Sequence, residues 1–84
     1  MTYRIRFTRQ ASKDVRRLSP KYRKKLKDIL VNKLAVAPYS GKPLMGQLKG
    51  YYSVRLSYKD RIVYSIQDDE LLIIVLRART HYGD

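Results

Sequence analysis

The amino-acid sequence predicts a small α+β domain in the order β-α-α-β-β-β, a helical hairpin packed on a mainly antiparallel four-stranded sheet. Three observations carry this expectation. Tyr3, Ile5 and Phe7 alternate with Arg4 and Arg6, the period-2 signature of a half-buried strand. Apolar residues then recur at helical spacing on both sides of Ser19-Pro20. From Tyr52 onward, three short β-patterned runs follow one another, separated by turn-forming residues.

Residues 2–7 form the first strand, apolar side chains inward. Thr8 follows as an N-cap. Ala11, Val15 and Leu18 share one face of a short helix over residues 9 to about 18. Ser19 caps the next helix and Pro20 occupies its first position, where a missing N–H costs nothing. The stripe of that helix is Tyr22, Leu26, Ile29, Leu30 and Leu34, and it runs to about Val36, ending before Pro38. Residues 37–49 contain Pro38, Gly41, Pro43 and Gly46 and read as an irregular connection. Residues 52–56 are the second strand, with Val54 and Leu56 on one face and Ser53 and Arg55 on the other. Residues 61–67 are the third, with Ile62, Tyr64 and Ile66 opposite Arg61, Val63 and Ser65. Asp68-Asp69-Glu70 is an acidic hairpin turn. Residues 71–76 are continuously apolar, as in a central strand covered on both sides, and lead into Arg77 and Arg79.

Residues 1–84 make one domain with a single small core. A hydrophobic content of 44% suits a folded chain rather than a disordered tail. No apolar run reaches the length of a membrane span, and the alternating N-terminus is not a signal peptide, so a cytoplasmic protein with no membrane partner is expected. The absence of cysteine and the single histidine, His81, argue against a metal site, and no cofactor is expected.

Charge is the strongest compositional signal. Nineteen Lys and Arg against seven acids leave a net charge of +12, a field that favours polyanions or an acidic protein. Arg16, Arg17, Lys21, Arg23, Lys24, Lys25 and Lys27 decorate the helical hairpin; they read either as a solvated face or as contacts to a large RNA. On the sheet, Arg55 shares the face of Ser53, and Arg61 opens the next strand on the same side. Arg77, Arg79 and His81 share parity if the last strand stays extended that far. Guanidinium forks match phosphate geometry. Tyr51, Tyr58 and Tyr82 are placed to stack on unpaired bases. RNA carries its own nucleophile, the 2′-hydroxyl, so such a face need only align it, stabilise charge on phosphorus oxygens and protonate the leaving 5′-oxygen. Arginines suit the second task and a histidine the third. Against this stand plainer readings: His81 as a surface histidine, Arg55 and Arg61 paired with Asp60 and Asp68, and Tyr52 and Tyr64 as core.

Leu48-Lys49-Gly50, Tyr52, Arg55, Asp60-Arg61-Ile62-Val63-Tyr64, the Asp68-Asp69 turn and Leu71-Leu72-Ile73, running to an Arg- and His-containing tail, resemble toxins of the RelE/ParE superfamily. Pro38-x-x-Gly41-Lys42-Pro43-Leu44 resembles the YoeB-like connection. The resemblance spans the whole chain and is strongest to the RelE and YoeB branches. It implies a bacterial type II toxin silenced by a cognate acidic antitoxin, and a metal-independent endoribonuclease that enters the ribosomal A site and cuts translated mRNA. It carries the scissile-phosphate arginine to Arg61, a basic position to Arg55 and a leaving-group role to His81. Arg77 and Arg79 fall in the adjoining RNA-binding stretch, with Lys42, Lys49, Tyr58 and Tyr82 as further RNA contacts. Two departures matter. The YoeB-like branch has a glutamate base where this chain has Leu44 and Met45, and RelE proper has lysines where this chain has Ser53 and Arg55. The general base is therefore unassigned, with Lys42 and Lys49 as candidates. The C-terminal helix of some relatives is not expected. ParE-type relatives share the fold but bind DNA gyrase and cut nothing, which makes a gyrase inhibitor the alternative; a harmless nucleic-acid-binding module is the third reading.

Overall fold

The structure, a computed structural model, describes residues 2–79. Five strands form one mixed sheet: β1 (Arg4–Phe7), β2 (Lys42–Pro43), β3 (Tyr51–Arg55), β4 (Arg61–Gln67) and β5 (Leu72–Arg77). Their spatial order is β1-β5-β4-β3-β2. β1 runs parallel to β5, with Arg4 opposite Leu72, and the remaining neighbours are antiparallel. Two helices, α1 (Arg9–Arg17) and α2 (Pro20–Ile29), separate β1 from the rest of the sheet in sequence.

The helices cover one face. Leu18, Leu26, Leu30 and Leu34 meet Leu56, Ile62, Tyr64, Ile73 and Val75 in one core. The alternation along β4 and β5 thus does what period-2 geometry requires. On the face of β5 turned away from the helices, Leu72 is buried while Ile74 and Leu76 are half-buried.

Thr8 caps α1 as its sequence implies. Its hydroxyl accepts the Ala11 amide at 3.1 Å and donates to the Leu76 carbonyl at 3.0 Å, so one side chain joins the start of α1 to the end of β5. Ser19 stands at the N-cap of α2 with Pro20 in the first turn, but its side chain makes no capping bond. The helix continues past Ile29 into a π-helical turn, Leu30–Leu34, where the Ala35 amide donates to the Leu30 carbonyl. The wider turn sets Leu34, fully buried, into the core.

The sheet has one strand more than expected. Lys42 and Pro43 pair with Ser53 and Tyr52 inside the stretch read as irregular. The cause lies in Tyr64, whose buried hydroxyl donates to the Pro38 carbonyl at 2.7 Å and accepts the Gly41 amide at 3.1 Å. Tyr52 stacks on Tyr64, and Tyr39 packs edge-on against Tyr52. These three rings hold residues 38–41 against the sheet and deliver the next two residues to its edge. The reading of Tyr52 and Tyr64 as core is the one the packing bears out.

Candidate nucleic-acid interface

The end of the sheet where β3 and β5 finish and β4 begins carries the arginines. Arg55 is the cross-strand partner of Arg61, and Ser53 the partner of Val63. Ser53, Arg55, Arg61 and Val63 therefore share the face turned away from the helices. Arg61 donates through Nε to the Ser53 hydroxyl at 3.3 Å. Ser53 is itself buried, so a fixed acceptor steers one edge of the guanidinium and leaves both terminal nitrogens available. Lys42 is the partner of Ser53 from the β2 side, which adds a third cation to the same face.

Neither arginine is neutralised by the neighbouring acids. Asp60 accepts from the Ser57 hydroxyl at 3.3 Å within the β3–β4 turn. Asp68 lies at the far end of β4, where it accepts from Tyr3 at 2.6 Å and from Tyr39. Those two phenols hold the Asp68 carboxyl below its usual range, and Asp68 in turn raises Tyr39 to about 12. Among the described residues, the one ion pair is Arg77 with Asp14. Among the described residues, Arg55 and Arg61 thus form a positive pair with no acid partner, suited to a phosphate.

The end of β5 departs from the extended course that parity would need. The register slips between Val63 and Tyr64: Tyr64 faces Val75 while Val63 faces Arg77, so Leu76 is an extra residue on β5. The strand then ends at Arg77, and residues 78–79 bend. Arg77 donates through Nε to Asp14 at 2.8 Å, and the same carboxylate oxygen accepts the amides of Ala78 and Arg79. The other oxygen accepts Gln10 at 3.1 Å. Burial would raise the Asp14 carboxyl, but these four bonds outweigh it and hold the group below its ordinary value. Arg77 and Arg79 are therefore not two free rungs of an extended strand: Arg77 is tied to α1, and its terminal nitrogen donates to the Arg79 carbonyl at 3.0 Å.

Tyr58 is 89% exposed in the turn beyond Arg55, beside the arginine pair. Lys49 lies in the turn before β3, at the opposite end of that strand from Arg55, ~20 Å away along an extended chain; the fold does not bring it to Arg61. His81 and Tyr82 lie outside the described residues. Asp14 had no place in the sequence reading. Its signal was available: with Ala11 and Leu18 it occupies one helical face, an acid on an otherwise apolar stripe.

A second surface lies on the other side of the molecule. Ile5 and Phe7 of β1, Val15 of α1, and Leu26, Leu30 and Val31 line an apolar groove. Arg23 and Lys27 border it. Phe7 and Val31 are 41% and 50% exposed. β1 is an edge strand, paired on one side alone among the described residues.

Two helices packed on a five-stranded mixed sheet are a fold that this chain shares with solved RelE and YoeB structures. A chain of the toxin–antitoxin complex RelBE2 from Mycobacterium tuberculosis superposes with a TM-score of 0.85 at 30% identity, over 94% of this chain and 98% of that one. A YoeB–YefM toxin–antitoxin complex from Staphylococcus aureus gives 0.80 at 26% identity, over 98% and 100%. Toxin YoeB of Streptomyces coelicolor is 38% identical over 94% of this chain and 99% of its own. Toxin YoeB of Mycobacterium bovis is 40% identical over 63% of this chain, a match that spans 65% of that relative's length. The family model described as "ParE toxin of type II toxin-antitoxin system, parDE" matches residues 5–82. The chain belongs to this family of type II toxins, in its YoeB-like branch.

Proposed function

We propose that this chain is an endoribonuclease that cuts translated mRNA in the ribosomal A site. The observation that carries the reading is the Arg55–Arg61 pair, without an acid partner among the described residues and with Arg61 oriented by a buried serine. A phosphodiester seated there meets forked donors that grow stronger as charge accumulates on its oxygens. The 2′-hydroxyl attacks phosphorus, the P–O5′ bond breaks, and a proton goes to the 5′-oxygen. The products are a 2′,3′-cyclic phosphate and a 5′-hydroxyl. His81 supplies that proton in this reading. Lys42, on the row of Ser53, is the lysine that would receive the 2′-hydroxyl proton, acting through its neutral amine. Tyr58 offers a stacking surface beside the arginines.

The partner that silences the toxin is an antitoxin. The groove beside β1 suits it: an apolar segment bearing acidic side chains would pair with the free edge, bury its apolar residues between β1 and the helices, and meet Arg23 and Lys27. The net charge of +12 favours an acidic occupant.

Expression of the chain with mapping of new 5′ ends on cellular mRNA tests the nuclease reading. Cuts within translated codons, lost in Arg61→Ala, are expected. Intact mRNA with stalled supercoiling would overturn it in favour of gyrase inhibition, the reading to which the ParE description of the family model lends weight.

A further inference from the structure

Tyr3 and Ile5 of β1 pack on the core, so Arg4 and Arg6 turn to the face of the sheet away from the helices. Both are exposed. Register carries that face across the sheet: Arg6 stands opposite Ile74, Ile74 opposite Ser65, and Ser65 opposite Tyr51. Arg61 begins the strand that holds Ser65, with Arg55 as its partner. One face therefore runs from the arginine pair, over the half-buried Ser65 and Ile74, to another arginine on the edge strand.

The charge on this face has one sign. The strands carry Arg4, Arg6, Lys42, Arg55, Arg61 and Arg77, and neither Asp nor Glu. The described acids lie on the helices, as Asp14 and Asp28, or in turns, as Asp60 and Asp68-Asp69-Glu70. Arg77 is taken by Asp14. Arg4 gives one nitrogen to the Glu70 carbonyl at 3.5 Å, beside the acidic turn. Arg6 has no acid partner among the described residues. A charge on an edge strand commonly guards against stray pairing, but that task asks for no particular sign along the rest of the face. A uniformly positive face asks for a polyanion. Arg6 lies two strands across from β4 and four residues along it, about 17 Å from Arg61 between Cα positions. At that distance it meets not the phosphate held by Arg55 and Arg61 but another, a few nucleotides along the same strand.

We propose that Arg6 is a second phosphate contact for the RNA substrate: the single strand leaves the phosphate held at Arg55 and Arg61, crosses Ser65 and Ile74, and gives a further phosphate to Arg6 at the sheet edge. The inference rests on the nuclease reading and extends the binding surface from β3 and β4 to β1. Ile74 offers a base an apolar floor and Ser65 a hydroxyl beside it. Arg6 makes its contact equally before and during the reaction, so it positions the strand and does not act on the reacting atoms.

Cross-linking and cleavage kinetics together test it. The chain has no cysteine, so Arg6→Cys installs a single thiol that can carry a short photo-crosslinker. On ribosome-bound mRNA that group should join the mRNA at one fixed offset from the cut. The same group on Lys24→Cys, exposed on α2, should not join mRNA. In single-turnover cleavage, Arg6→Ala should raise the concentration of ribosome–mRNA complex needed for half the maximal rate on the order of tenfold. The rate at saturation should stay within about threefold, as for a contact made equally in ground and transition states. The salt dependence of that concentration should weaken by about 0.7 in log–log slope, the share of one single-strand phosphate. Arg6→Lys should keep the parent slope, because the charge remains. An adduct on ribosomal RNA, or on no RNA, overturns the inference. So does Arg6→Ala with a half-maximal concentration within about twofold of the parent. Weaker antitoxin binding in Arg6→Ala with cleavage unchanged gives the face to the antitoxin instead, and self-association with cleavage unchanged leaves Arg6 as an edge guard; either result overturns the RNA contact. A parent chain that cuts no mRNA overturns the nuclease reading and this inference with it, whereas a parent that cuts, with Arg6→Ala unchanged, overturns the inference alone.

Discussion

The hydroxyl of Tyr64 accepts the Gly41 amide at 3.1 Å, and a methyl group at position 41 would stand 2.3 Å from that same oxygen. The Ser53 carbonyl would lie 3.1 Å from the methyl, so neither the ring nor the strand can yield easily. Glycine at 41 is what lets the connection lie flat on Tyr64 and present Lys42 to the row of Ser53.

Gly41→Ala should therefore destabilise the fold by about 1–3 kcal/mol, as overpacking of a tight site does. Tyr64→Phe, which leaves the Pro38 carbonyl and the Gly41 amide without their partner, should cost a similar ~1–3 kcal/mol. Urea midpoints at constant m-value check both.

In the proposed mechanism Arg61→Ala removes a donor to developing charge, and cleavage should fall by roughly 10²–10³. Arg61→Lys should recover part of this, since a point charge cannot reproduce the fork. His81→Ala should lose on the order of 10²–10⁴. Single-turnover rates on ribosome-bound mRNA measure all three, and a His81→Ala rate within about threefold of the parent, far below the general-acid range, would remove the residue from the mechanism.

Stability should fall on the alkaline side between about pH 10 and about 12. Burial raises the Tyr64 phenol to about 12, and the Asp68 carboxylate raises Tyr39 to about the same value. In the unfolded chain both ionise near 10, so over that window the unfolded state loses its protons first and gains relative to the fold. Tyr39→Phe should flatten the decline. On the acid side Asp14 and Asp68 have depressed folded values; the stability they contribute is present above the unfolded carboxyl range and drains as pH falls through their folded values. Thermal melts across pH in Asp14→Asn and Asp68→Asn should show a shallower acid limb.

Phe7→Asp and Val31→Asp place a charge in the apolar groove without touching Arg55 or Arg61. Antitoxin affinity should drop by about 2 kcal/mol or more at either position if these are anchors. Cleavage by the free toxin should be retained. Binding that is unchanged in both variants would move the antitoxin to another surface.

Much of this fold could be read from the chain because its strands alternate and its helices carry clean stripes: the faces of Val54, Ile62 and Tyr64 fall where parity puts them. Lys42–Pro43 could not, since two residues carry no period and their pairing depends on a tyrosine more than twenty positions away. The slip at Leu76 was hidden by the run of apolar residues, which looks the same in either register. The approach of Arg61 to Ser53 was legible from strand parity alone. The capture of Arg77 was not, because its partner lies 63 residues earlier in the chain. His81 and Tyr82 stand beyond the described residues, and their roles rest on the resemblance.

Among the described residues β1 has a single neighbour, β5, so Thr8 and Leu76 meet across 68 residues. Pairings this distant in sequence are slow to close. During synthesis the first strand must wait, unpaired, until the fifth has been made. The β3–β4 hairpin with its arginines can assemble earlier, but the groove cannot, because Ile5 and Phe7 are part of its wall. On the proposed seating of the antitoxin in this groove, a half-made chain would offer it no seat, and the docking of β1 would complete the restraint site only after β5 has been made.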